Sequence, residues 1–269
     1  MLSFFYVTRE LNVRKGLTMD KDFKQINDIY INQAFDGKAE EKVLEKCKQI
    51  AKAYALAENA IVSMGNNIEN CSYCYFGGLA DVLGIPMDER KDTIFSLYEE
   101  FVFGRAYAED LTCRHAHELV FLRDIQPLTA DERKNYYLSD FLRIHDVHGK
   151  WHWVEHRMFP LASLADSSFW LCMCVYTMSR DTMRKPKIVN TRTGNVRILT
   201  NQDYTSLLSQ RELEVLQLIA DGLLSKEIAA RLSISINTVN RHRQNIFERL
   251  HADNAIEACK IGRVMGLLN

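Results

Sequence analysis

The feature that most narrows the possible folds is a succession of short helical segments from Ser209 onward, each with its own start signal. Ser209-Gln210-Arg211-Glu212 has the spacing of a capping box, in which the Ser hydroxyl and the Glu carboxylate each satisfy a free amide at a helix start. Leu213, Leu216, Ile219 and Ala220 follow on one helical stripe, and Gly222 stands where a glycine just past the helix would end it. Ser225 is placed to cap a second, short helix that buries Ile228, Ala229 and Leu232. Ser233-Ile234-Ser235 is a tight connection with one apolar plug, and Ser235 caps a third helix with Val239, Ile246 and Leu250 on its inner face.

The outer face of that third helix carries Asn240, Arg241 and Gln244 near its start. In a helix-turn-helix the second helix of the pair enters the major groove and its N-terminal part meets base edges. Arg suits the O6/N7 edge of guanine, and Asn or Gln the N6/N7 edge of adenine. Lys226, Arg243 and the Ser235 and Thr238 hydroxyls suit phosphates, which position a protein without reading sequence. The bland alternative is a small helical bundle with a solvated polar face.

The segment from Leu208 to Leu268 resembles the LuxR-type helix-turn-helix domain along its whole length. The matching pieces are Leu208 to Leu216, Gly222, Ser225 to Ala229, Leu232 to Ser235, Thr238-Val239, His242, Asn245-Ile246 and Leu250. The resemblance implies a four-helix module on double-stranded DNA. It implies a last helix, about Asn254 to Met265, that pairs with its twin through Ile256, Cys259, Lys260 and Arg263. The family often has Lys where this chain has Asn240, a departure that bears on which sequence is recognised.

The remainder is long enough for a second domain, since 269 residues exceed the roughly 100–200 of one domain. A formal net charge of -1 neither favours nor excludes nucleic acid, because the distribution of charge over a face decides that. Seven cysteines, an odd number without framework spacing, argue against a secreted disulfide scaffold. Ser3 to Val7 and Trp170 to Tyr176 are too short for the roughly 20 apolar residues of a membrane span. The expected setting is a reducing cytoplasm with no membrane contact, and Met1 and Met19 are both admissible starts.

Asp20 to Glu58 reads as helix, with Val43, Leu44, Cys47, Ile50, Ala51 and Tyr54 at helical spacing. Ala60 to Met64 and Cys71 to Phe76 read as strands, ended by Gly65-Asn66-Asn67 and Gly77-Gly78. Ile94, Leu97, Tyr98, Phe101 and Val102 imply a helical middle, and Thr129 to Glu132 is a second capping box. Phe141 to His145, Trp151 to Phe159 and Trp170 to Thr177 read as three further strands. The last is apolar on both faces and so central, covered by the N-terminal helix, by a second subunit, or by both. Lys187 to Leu199 reads as a small hairpin or a plain linker.

Residues from about Ala60 to Ser179 resemble a PAS sensor domain. Tyr107-Ala108-Glu109-Asp110-Leu111 looks like the family's His-Pro-Glu-Asp-Leu segment, with Ala108 for the usual Pro. Leu142 to Val154 looks like its strand, Asp-Gly turn and strand. The resemblance implies a sheet domain that binds a small ligand or only dimerises.

Other clusters have bland readings. Cys71 and Cys74 have metal-ligand spacing but fall on opposite faces of a strand. Cys172 and Cys174 share a face as ordinary core thiols. Cys113, His115 and His117 lie where some PAS proteins hold haem, and hydrogen-bonded histidines fit them better. Trp151 and Trp153 belong to the core or a dimer surface rather than a ligand box.

The expected class is α+β: an N-terminal PAS-like five-stranded antiparallel sheet with helices, plus a C-terminal all-α four-helix LuxR-type domain. Residues 1–58 form a helical segment, 59–180 the PAS-like domain, 181–207 the linker or hairpin and 208–269 the DNA-binding domain. The expected role is a dimeric transcription regulator with no catalytic or metal site. Its partners would be DNA and a second copy, with RNA polymerase and a small-molecule effector as further candidates. The alternative keeps DNA binding and gives the N-terminal domain only dimerisation or protein docking.

Overall fold

The structure is a computed structural model, and it describes residues 30, 33, 40–164, 168–205, 207–250, 252 and 254–268. They form two compact units, one ending at Leu199 and the other starting at Thr200.

The first unit is a sheet with helices on it. Helix α1 (Glu41–Ala57) is followed by β1 (Ile61–Asn66), β2 (Cys71–Phe76), α2 (Gly78–Val82) and the two-residue β3 (Thr93–Ile94). Then come α3 (Glu100–Phe103), α4 (Ala108–Ile125), α5 (Ala130–Arg133), β4 (Tyr136–His145), β5 (Trp151–Ser163) and β6 (Phe169–Met178). β7 (Lys187–Asn190) and β8 (Val196–Ile198) close the unit. The expectation of helix from Asp20 is met from Glu41 to Ala57, while most of residues 20–39 lie outside the described set.

All strand pairs are antiparallel, in the order β3-β2-β1-β6-β5-β4-β7-β8. The expected five strands are the continuous run β2-β1-β6-β5-β4. The sheet is nonetheless eight-stranded, because both edges of that run are covered. β3 pairs with β2 through Ser72 and Tyr73, and β7 pairs with Tyr136 to Ser139 of β4. An uncovered edge would leave a row of unpaired amides and carbonyls. The chain after Met178 therefore continues the sheet as a hairpin, with Gly194 at φ +76° in its turn.

Two local expectations are corrected. Ile94 is not helical: its backbone pairs with Ser72, and the helix begins only at Glu100, burying Val102 and Phe103. Gly65 and Asn66 are not a turn but the end of β1. The turn follows, with Asn66 Oδ1 accepting from the amides of Ile68 and Glu69 and with Asn70 at φ +48°.

β6 lies inside the sheet and is covered on both faces. Leu171, Met173 and Val175 pack with Cys47, Ala51 and Ala55, whose small side chains at four-residue spacing let α1 approach closely. On the opposite face Tyr176 meets Phe103 and Cys174 meets Arg114. Among the expected covers, the N-terminal helix is the one observed. The two sequence pieces that resembled a sensor meet in space: Asp110 at the start of α4 accepts from Arg143 N at 2.8 Å, Nε at 2.8 Å and Nη2 at 2.6 Å on β4. The β4–β5 turn is held by Asp146, whose Oδ1 accepts from His148 and Lys150 amides, with Gly149 at φ +81°.

The second unit is all-α. Its elements are α6 (Asn201–Thr205), α7 (Gln210–Ala220), α8 (Ser225–Leu232), α9 (Ile236–Leu250) and α10 (Ala255–Val264).

Candidate nucleic-acid interface

Helix α7 starts as expected. Ser209 Oγ accepts from Glu212 N at 3.3 Å and Glu212 Oε2 accepts from Ser209 N at 2.8 Å. The same carboxylate accepts from Arg249 Nη1 at 2.9 Å, which ties α7 to α9. Burial would raise the Glu212 pKa, but the bonds from Ser209 and the Arg249 charge more than offset it and hold it low. The helix stops at Gly222, at φ +87°.

Helix α8 starts one residue earlier than expected. Leu224, not Ser225, occupies the cap position, because Glu227 Oε2 reaches back to accept from Leu224 N at 2.7 Å. Lys226 is then the second helical residue, exposed and without an ion pair among the described residues. The helix ends at Ser233 in the left-handed region, φ +53°, and Arg211 Nη2 donates to Leu232 O at 2.9 Å. The chain turns there and enters α9 through Ser235, whose Oγ accepts from Thr238 N at 3.0 Å.

Val239, Ile246 and Leu250 point inward from α9. Ile236, Asn237, Thr238, Asn240, Arg241 and Gln244 are all exposed. Arg241 makes no ion pair among the described residues, whereas Gln244 Nε2 donates to Glu248 Oε1 at 3.0 Å. Arg243 is half-buried with its guanidinium 5.6 Å from the Phe247 ring centre. The Ser235 and Thr238 hydroxyls lie 2.8 Å apart, so both take part in the cap. Ile236 and Asn237 were not singled out from the sequence, although they sit one turn before Asn240 and Arg241.

Helix α10 is capped by Asn254 Oδ1, which accepts from Glu257 N at 3.0 Å. Ile256 is 84% exposed, and Lys260 and Arg263 are exposed on the same stripe. Cys259 departs from the expectation: it is 6% exposed and packs inside its own domain, because its position falls on the stripe of Ala258 and Ile261.

The sheet unit holds a second cluster, between α4 and the inner face of β5 and β6. Arg114 Nη1 donates to Glu118 Oε2 at 3.0 Å, and Tyr30 donates to Glu118 Oε1 at 2.9 Å. Asp140 has His156 Nδ1 at 2.8 Å and His117 Nδ1 at 3.3 Å. Burial would raise the Asp140 pKa, but the two imidazoles more than offset it and lower it. Burial lowers that of His156 and pushes Glu99 up to about 7. Of these, only His117 stood out in the sequence. Cys172 and Cys174 lie on this face with their thiols pushed up by burial, that of Cys172 to about 12. Cys71 and Cys74 are buried thiols on β2. Trp151 and Trp153 are surface residues, 48% and 36% exposed, not core. Among the described residues no group of three His, Cys, Asp or Glu is arranged to hold a metal ion, and no helix is long and apolar enough to cross a membrane.

Residues 206–261 match the family model described as bacterial regulatory proteins, luxR family. The C-terminal unit is thus a LuxR-type helix-turn-helix domain. The chain is 48% identical over 60 residues to the uncharacterized response regulatory protein YgeK of Escherichia coli, covering 22% of this chain and 41% of that protein. It is 48% identical over 61 residues to the quorum-sensing regulator RhlR of Pseudomonas aeruginosa, covering 23% and 25%. The match thus spans less than half the length of these relatives. The solved structure of VqmA from Vibrio cholerae aligns over 83% of this chain and 88% of that one, at 15% identity and a TM-score of 0.29.

Proposed function

We propose that the protein is a sequence-specific DNA-binding transcription regulator whose N-terminal sheet domain senses a signal. One observation carries the DNA-binding part: α8 and α9 meet across a three-residue turn, and the first turns of α9 present Asn240, Arg241 and Gln244 on an exposed face. Side chains of that kind, on the second helix of such a pair, read base edges. Lys226 and Arg243 supply phosphate contacts. Ile256, Lys260 and Arg263 on α10 supply the contact with a second copy.

The sensing part draws its support from the ionisable cluster buried in the sheet domain. A second reading, in which that domain only dimerises or docks a protein, is favoured by the exposed Trp151 and Trp153. Selection of bound sites from random duplex DNA with the purified protein tests the main proposal. Enrichment of one palindromic motif supports it; a pool that stays random through successive rounds overturns it.

A further inference from the structure

Charge is segregated in the segment that leads into the DNA-binding unit. From Thr182 to Gln202 the chain carries Arg184, Lys185, Lys187, Arg192 and Arg197 and not one acid, in a molecule whose formal net charge is -1. This segment holds the β7–β8 hairpin, and every residue from Thr191 to Ile198 is exposed. Its turn is fixed by hydrogen bonds. Asn190 Oδ1 accepts from the Arg192 and Thr193 amides, both at 3.0 Å, and Thr191 Oγ1 donates to Asn135 O at 3.0 Å. Arg192 therefore stands at the tip of an ordered ribbon, so little backbone freedom is lost when it meets a partner.

Three of the five cations are already engaged. Lys187 Nζ lies 2.9 Å from Asp181 Oδ2, Arg184 covers the Trp153 ring at 4.7 Å, and Arg197 meets Asp124, which Arg123 also holds. Lys185 and Arg192 are exposed and make no ion pair among the described residues. The acids shortly before Asn135 do not neutralise the tip. Asp131 pairs with Lys134 at 2.8 Å, and Glu132 closes the Thr129 cap. Two unpaired cations on a rigid, acid-free ribbon suit a polyanion. Only Leu199 and Thr200 separate β8 from α6. Three Cα–Cα steps span at most about 11 Å, so DNA held by the head is an intramolecular partner for the hairpin. Double-stranded DNA offers a negative charge about every 1.7 Å along its axis.

We propose that the β7–β8 hairpin is a second DNA-contacting surface, on which Arg192 at the tip and Lys185 at the base meet the sugar-phosphate backbone beside the bases read by α9. Such contacts hold the protein on the duplex without reading sequence. This rests on the reading of the C-terminal unit as a DNA-binding head.

The test measures affinity of the full chain against salt, by fluorescence anisotropy, on its selected duplex and on a scrambled one. Lys185→Gln and Arg192→Gln should each lower the slope of log affinity on log salt by about one unit, and weaken both duplexes by roughly five- to tenfold at about 0.1 M salt. Arg192→Lys keeps the charge and should keep the parent slope. Lys52→Gln removes the same charge from an exposed position on α1 and should leave the slope unchanged. Parent slopes in both hairpin variants, or an equal drop in Lys52→Gln, would overturn the proposal. A loss confined to the selected duplex would overturn it too, since the contact would then be to a base. Failure of the head is seen separately. A parent chain that binds neither duplex removes the DNA-binding reading and this proposal with it. A slope lowered by Lys226→Ala but by neither hairpin variant keeps that reading and removes only the hairpin.

Discussion

Arg241 is exposed on the first turns of α9 and is held by no ion pair among the described residues. Arg241→Ala should cost about 1–3 kcal/mol on a specific site and relax preference at one base position. Equal losses on specific and scrambled duplexes would instead make Arg241 a phosphate contact. Lys226 is the contrasting case: Lys226→Ala should weaken every sequence alike and lower the salt slope by about one unit. Glu99 lets the buried cluster be read through pH. Arg114 and Glu118 on α4, Cys74 on β2, and Cys174 and Tyr176 on β6 surround it, and burial raises its pKa to about 7. An acid raised on folding binds more protons folded than unfolded between its two pKa values. Its contribution to stability is therefore present below about 4.5 and lost as pH rises to about 7, by at most about 3 kcal/mol. Denaturant melts of Glu99→Gln should show a flatter stability profile across that window than the parent. Identical profiles would show that Glu99 is not the group that titrates.

At the scale of elements, the orientation of α9 depends on its first turn. Ser235 caps it and shares a hydrogen bond with Thr238. Ser235→Ala should cost about 1 kcal/mol of stability and weaken specific and non-specific DNA alike. A purely sequence-specific loss would place the Ser235 hydroxyl on a base instead. The caps of the C-terminal domain were legible because their partners are close in the chain: Ser209 with Glu212, Ser235 with Thr238. The α8 cap misled, since a Ser at 225 looks like a cap until Glu227 is seen bonding the amide of Leu224. β3 and the placing of the β7–β8 hairpin were not legible. Ile94 takes its conformation from Ser72, and Ile188 from Leu138, partners too distant for periodicity to register. The buried cluster was hidden for a related reason. Glu99, Arg114, Asp140 and His156 read as solvated charges until α4, β4 and β5 are packed together.

At the scale of the whole molecule, the DNA-binding reading bears on assembly. A single LuxR-type head contacts few base pairs, and each mismatch costs only about 1–3 kcal/mol, so selective binding calls for two heads on a two-fold site. β6 cannot supply the contact between copies, because α1 and the inner helices cover both its faces. The sheet domain does expose Trp151 and Trp153 on one face of β5, where Arg143 and Arg184 lie over the Trp153 ring at 5.4 Å and 4.7 Å. Exposed aromatics bordered by charge mark contact surfaces. The expected state is a homodimer held mainly by the sheet domain and helped on DNA by the exposed Ile256 stripe of α10. Light scattering on the full chain and on residues 1–199 checks this. The fragment runs through Leu199 so that β7 and β8, which pair as one hairpin, stay together. Both species should be dimers at tens of micromolar, a range in which even weak contacts populate. Trp153→Glu should shift both toward monomer, while Ile256→Arg should leave the fragment-independent dimer in place and weaken only binding to two-fold DNA. A monomeric 1–199 fragment beside a dimeric full chain would move the contact to α10. It would also remove the means by which the sheet domain could set the spacing of the two heads.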